Sequence, residues 1–151
     1  MFLDNNTFSS IIQNTPLISI DLIVKNKEGQ ILLGKRLNKP AQNFWFVPGG
    51  RVFKDEILSD AFTRTVKEEL GINLKKDDAR FYGVYEHFYD DNVFNNDFST
   101  HYIVLAHEIQ INDITKTNNQ HSQYKWFDKD KLLNDNNVHK YTKDYFKKEN
   151  T

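Results

Sequence analysis

Residues 45–72 read WFVPGGRVFKDEILSDAFTRTVKEELGI, and the reading of the fold starts there. A short apolar strand runs into the double glycine Gly49-Gly50, which predicts a turn. A loop of mixed charge and an amphipathic helix follow. Asp55 or Glu56 predicts the helix start, because a carboxylate there can accept free N–H groups and favours the positive end of the dipole. Ile57, Leu58, Ala61, Phe62, Val66 and Leu70 recur at three- and four-residue spacing and form one apolar stripe. Gly71 stands where a left-handed residue ends a helix. Glu68 and Glu69 fall at the opposite end from the one the dipole would choose for carboxylates, so a cation is the leading explanation for them.

The rest of the chain sets limits on function. Its 151 residues suit a single domain, 1–151, with a full core. A hydrophobic share of 38% with 12 Phe and 7 Tyr separates it from disordered chains. Twenty basic against 21 acidic residues leave a net charge of −1, which argues against a nucleic-acid partner held by bulk charge. There is no cysteine, so disulfides and thiol catalysis are excluded. The start MFLDNNTFSS has no basic segment followed by a long apolar core, and no apolar run reaches membrane-spanning length. A cytoplasmic protein with no membrane partner is the expectation.

In chain order, residues 1–16 predict a short helix or an arm ended by Pro16. LISIDLIV at 17–24 is a strand apolar on both faces, hence inside a layered sandwich. Asp21 in its middle needs either a neighbouring arginine or a ligand hydroxyl. QILLGKR at 30–36 is the antiparallel return strand. Its Lys35 and Arg36 suit either a solvated strand end or a phosphate clamp, since a guanidinium meets two phosphate oxygens at once. Arg51 projects from the glycine turn. Residues 80–89 and 98–111 predict two further strands, 112–122 a polar loop holding Gln120 and His121, YKWF a short strand, and 129–133 and 138–148 two helices. The expected fold class is an α/β sandwich with a mixed β-sheet and helices on its faces.

The spacing of Gly50, Glu56, Arg64, Val66, Glu68, Glu69, Gly71 and Ile72 resembles the Nudix box. The resemblance implies a Nudix-type α/β/α sandwich whose box helix holds a divalent cation against a diphosphate. One position departs: the glutamate usual after the arginine is Thr65. It lies one turn before Glu69 on the same face, so a carboxylate that a second metal would share is missing.

Beyond the box, TPLISIDLIV, LLGKR, KPAQNFWFVPGGRV, YEHFYDDN, DFSTHYIVL and QHSQYKWF resemble the GDP-mannose mannosyl hydrolases of the Nudix superfamily over almost the full length. That subgroup also lacks the glutamate at the Thr65 position. The resemblance implies Mg²⁺-dependent hydrolysis of GDP-mannose, with GDP-glucose also accepted. Water attacks sugar C1 with inversion and releases GDP and free sugar. It implies His121 as general base, with Arg51 and Tyr102 stabilising the departing GDP. The Gly49 carbonyl, Glu69 and Gln120 would hold one Mg²⁺ per subunit, with Mn²⁺ as a substitute. Arg36 would contact the diphosphate, and Asp21 and His87 the sugar. Phe2, Leu3 and Phe8 would shape the nucleoside end, with a homodimer as the implied assembly, and apolar docking on the core accounts for the same three residues. Glu68 has no role in this scheme. Two other readings share the box: a conventional Nudix pyrophosphatase attacking phosphorus, and a non-catalytic domain that binds a nucleotide sugar.

Overall fold

The computed structural model describes residues 2–112 and 121–147. In chain order these form α1 (Asn5–Asn14), β1 (Leu17–Lys25), β2 (Ile31–Arg36), β3 (Trp45–Phe46), β4 (Gly49–Arg51), α2 (Leu58–Leu70), β5 (Arg80–Tyr89), β6 (Thr100–Gln110), β7 (His121–Phe127), α3 (Lys129–Asn134) and α4 (Lys140–Asp144).

β1 is the spine of the sheet. Along one edge it pairs in parallel with β6, from Leu17 opposite Tyr102 to Lys25 opposite Gln110. Its other edge is shared: β4 lies antiparallel against Ser19, Ile20 and Asp21, and β2 meets it at Lys25. β2 carries β3 and β7, and β5 closes the far side against β6. The sheet is therefore mixed, as the two-faced apolarity of β1 predicts.

Alternation along β1 sends side chains to two cores. Ile20, Leu22 and Val24 meet Ala61, Phe62, Val66 and Leu70 of α2 on one face. Ile23 packs on the other face with Leu132 of α3 and with Val138, Tyr145 and Phe146 around α4. Each fully buried side chain of this kind contributes roughly 1.5–3 kcal/mol before entropy is counted. Helices thus cover both faces, giving the α/β/α sandwich. Among the described residues no helix is long and apolar enough to cross a membrane.

Several local expectations differ from the structure. α2 begins at Leu58, behind an extended Ile57 that makes no side-chain cap. The acidic pair does not start it: Asp55 has a left-handed φ of 64°, and Glu56 turns back to accept the N–H of Phe53 at 3.0 Å. Ile57 and Leu58 are exposed, so the apolar stripe starts at Ala61; Thr65 and Glu69 complete its buried face. Gly49 to Arg51 is a paired strand where a turn was expected, because backbone hydrogen bonds to β1 hold it extended. The segment 76–78 adds a 3-10 turn, and β7 starts at His121, three residues before the expected strand YKWF. The N-terminal helix is present, capped by Asp4, which accepts the Thr7 N–H at 2.9 Å.

Candidate active site

Arg64 organises the loop before α2. Its Nε and one terminal nitrogen reach the two oxygens of Glu56 at 2.7 and 3.0 Å, a bidentate pair, and that second nitrogen also donates to the Arg51 carbonyl at 2.7 Å. The other terminal nitrogen reaches Glu68 at 3.0 Å. Phe53 lies under the guanidinium, its centroid 3.8 Å from Cζ. The bonds to Glu56 raise the Arg64 pKa and lower that of Glu56. Two of the helix-side carboxylates are thus engaged by one cation of the protein itself. Glu68, whose place was unassigned, finds its partner here.

Glu69 faces the opposite way. It is 1% exposed, and its oxygens accept the Gly49 N–H and the Tyr124 hydroxyl, each at 3.3 Å. Burial pushes its pKa up to about 7, against the lowering effect of those two bonds and of Arg36. Thr65 is equally buried, with its hydroxyl unpaired by any described residue. Gly49 must be glycine, since a Cβ there would sit 2.5 Å from Asp21 Oδ1 and 2.6 Å from the Ile20 carbonyl oxygen.

These residues fit one hard cation. Among the described residues no cation bonds this buried carboxylate directly, Arg36 acts on it only through its field, and the strand beside it carries a backbone carbonyl. Among the described residues no group of three or more His, Asp or Glu could hold a metal by itself.

A cleft of about 330 Å³ opens beside β4. It brings together seven of the residues to which the resemblance gives a site role: Phe8, Asp21, Arg36, Gly49, Arg51, His87 and Tyr102. Arg36 is anchored by donating Nε–H to the Pro40 carbonyl at 2.9 Å. Arg51 lies 4.9 Å from the Phe8 centroid and 5.1 Å from that of Phe53, and burial lowers its pKa. Burial raises the Tyr102 pKa, against the charges of Arg36 and Arg51, so its hydroxyl stays a neutral donor. Asp21 is pushed up to about 7 by burial, and the Tyr145 hydroxyl donates to its Oδ2 at 2.5 Å. Neither expectation for Asp21, an arginine partner or a ligand alone, included that tyrosine. His87 is pushed down to about 4 by burial and stacks on Tyr141 at 4.3 Å, so it is neutral near pH 7.

Other expected site residues lie elsewhere. Phe2 is 91% exposed, and neither it nor Leu3 lines the cleft. Glu69 sits behind Gly49. His121 opens β7 with its backbone opposite Arg36, and Gln120 lies outside the described residues. Tyr89, Tyr124, Phe53 and Tyr145 went unnoticed in the sequence. Tyr124 stands in YKWF, where alternation could have assigned it to the Glu69 side; nothing local marks Tyr145.

The NUDIX domain family matches residues 15–147. Low-salt glycan biosynthesis protein Agl8 of Haloferax volcanii is 42% identical over 125 residues, covering 82% of this chain and 78% of that protein. An RNA pyrophosphohydrolase of Orientia tsutsugamushi is 25% identical, covering 78% of each. Among solved structures, a MutT protein from Methanosarcina mazei Go1 superposes with a TM-score of 0.71 at 24% identity, covering 88% of this chain and 92% of that one. The chain belongs to the Nudix family, whose hydrolases generally use divalent metal ions such as Mg²⁺.

Proposed function

We propose that this Nudix chain is a Mg²⁺-dependent GDP-mannose hydrolase, accepting GDP-glucose as well, that releases GDP and free sugar by water attack at C1 with inversion. One observation carries the reading. The box helix turns a single carboxylate, Glu69, toward the glycine strand, while Thr65 stands one turn earlier and Glu68 is bound to Arg64. That arrangement suits gripping a diphosphate leaving group better than activating water at phosphorus, which would call for more carboxylates.

Glu69, the Gly49 carbonyl and Gln120 would hold the ion, which when bound supplies positive charge to the diphosphate. His121 takes a proton from water as its oxygen bonds to C1. The C1–O bond breaks with its electron pair on the diphosphate oxygen, and GDP departs. Arg36 contacts the diphosphate. Arg51 and the neutral Tyr102 hydroxyl stabilise the charge that develops there. Asp21 and the neutral imidazole of His87 meet the sugar hydroxyls. The relationship to a protein named for glycan biosynthesis supports a nucleotide-sugar role.

Hydrolysis of GDP-mannose with Mg²⁺ in H₂¹⁸O tests this. Label in the free mannose, with unlabelled GDP, is the expected result. GMP and mannose 1-phosphate with label on phosphorus would favour a conventional pyrophosphatase, a reading encouraged by Glu68 at the cleft wall. Binding without turnover would favour a nucleotide-sugar-binding domain.

A further inference from the structure

Two residues lining the cleft, Asp21 and His87, are backed by Tyr145 from the C-terminal segment. Tyr145 follows directly on α4 and is 1% exposed, out of reach of any substrate. It is fixed from behind: the Tyr82 hydroxyl donates to its carbonyl, and the Tyr85 ring meets its ring edge-on at 4.6 Å. Its own hydroxyl faces the cleft wall, 2.5 Å from Asp21 Oδ2 and 3.5 Å from His87 Nε2. Beyond His87, the Tyr89 hydroxyl lies 3.5 Å from Nδ1.

Donor arithmetic gives this chain one direction when Asp21 is ionised. Tyr145 has a single proton, which the carboxylate takes. Its oxygen then accepts from His87 Nε2–H, which leaves Nδ1 as the acceptor for Tyr89. Asp21 and His87 both line the cleft, and the Tyr145 hydroxyl stands between them.

We propose that Tyr145 is a positioning residue for the sugar subsite, locking Asp21 and His87 into the geometry that receives the sugar hydroxyls. The inference rests on the nucleotide-sugar reading above. It assigns to the C-terminal segment a part in choosing the sugar, with no part in holding the nucleotide.

The test compares the wild type with Tyr145→Phe, which keeps the ring and removes only the hydroxyl. Turnover of GDP-mannose and binding of GDP, which has no sugar, are both measured with Mg²⁺. The expected result is a fall in kcat/KM for GDP-mannose of about tenfold to a hundredfold, the range for one buried hydrogen bond to a charged group. GDP affinity should stay within about twofold. Equal losses for both ligands would make Tyr145 a structural residue and overturn the inference, as would an unchanged kcat/KM. A wild type that leaves GDP-mannose uncleaved would instead overturn the parent reading, and the inference with it.

Discussion

Glu69 Oε1 accepts the backbone N–H of Gly49 at 3.3 Å, joining the end of α2 to the strand that borders the cleft. The contact places a buried carboxylate beside a carbonyl-bearing strand, and among the described residues no cation is hydrogen-bonded to it. Most of what can be tested about this protein follows from that pairing and from the residues packed around it.

The first test is the pH dependence of stability. Burial raises the Glu69 pKa from 4.5 to about 7, so the folded chain holds this proton more tightly than the unfolded one. The resulting stabilisation is full below about pH 4.5 and is lost as pH rises to about 7. His87 and His139, pushed down to about 4 by burial, act in the other direction between about pH 4 and 6.5. A difference curve separates them. In metal-free buffer, the stability of the wild type minus that of Glu69→Gln should fall between about pH 4.5 and 7. Added Mg²⁺ should restore it most above that window. Urea unfolding across pH checks this, and a flat difference curve contradicts it.

Thr65→Glu would place a second carboxylate in the buried face of α2, one turn before Glu69. The Thr65 side chain already lies 3.3 Å from where a Gly50 Cβ would stand. Like charges there cannot both ionise without a cation. The variant should lose about 2–4 kcal/mol in metal-free urea titrations, from crowding plus an unpaired buried charge, and recover part of it in Mg²⁺.

Gly49→Ala addresses the close approach of β4 to β1. One neighbour of the new Cβ is the Ile20 carbonyl, which is backbone and cannot rotate away. The strands must separate, so the variant should be destabilised by about 2–3 kcal/mol, and turnover should fall along with it. Circular dichroism melts and GDP-mannose assays on the same samples check both parts.

Under the proposed mechanism, His121→Gln should lower turnover by about two to four orders of magnitude, the range for a lost general base. Steady-state assays near pH 7 read this directly. Unchanged turnover removes His121 from the chemistry.

Much of this was legible in the residues alone. The helix with its Gly71 stop and the two-faced strand at 17–24 are local patterns, set by backbone conformation and side-chain period. The sandwich followed from them. The grouping of Phe8, Asp21, Arg36, Arg51, His87 and Tyr102 came from family resemblance, and the cleft brings those six together.

The sequence by itself could say that Asp21 needed a partner and that Glu68 and Glu69 called for charge. It could not say which charge went where. Glu68 and Glu69 are adjacent, yet a rotation of about 100° per residue sends one to Arg64 at the cleft wall and the other beneath Gly49. The partner of Asp21 turned out to be a tyrosine near the far end of the chain. Such pairings depend on two distant segments sharing one buried volume, where an unpaired polar group is costly, and only the packed tertiary structure decides which groups meet.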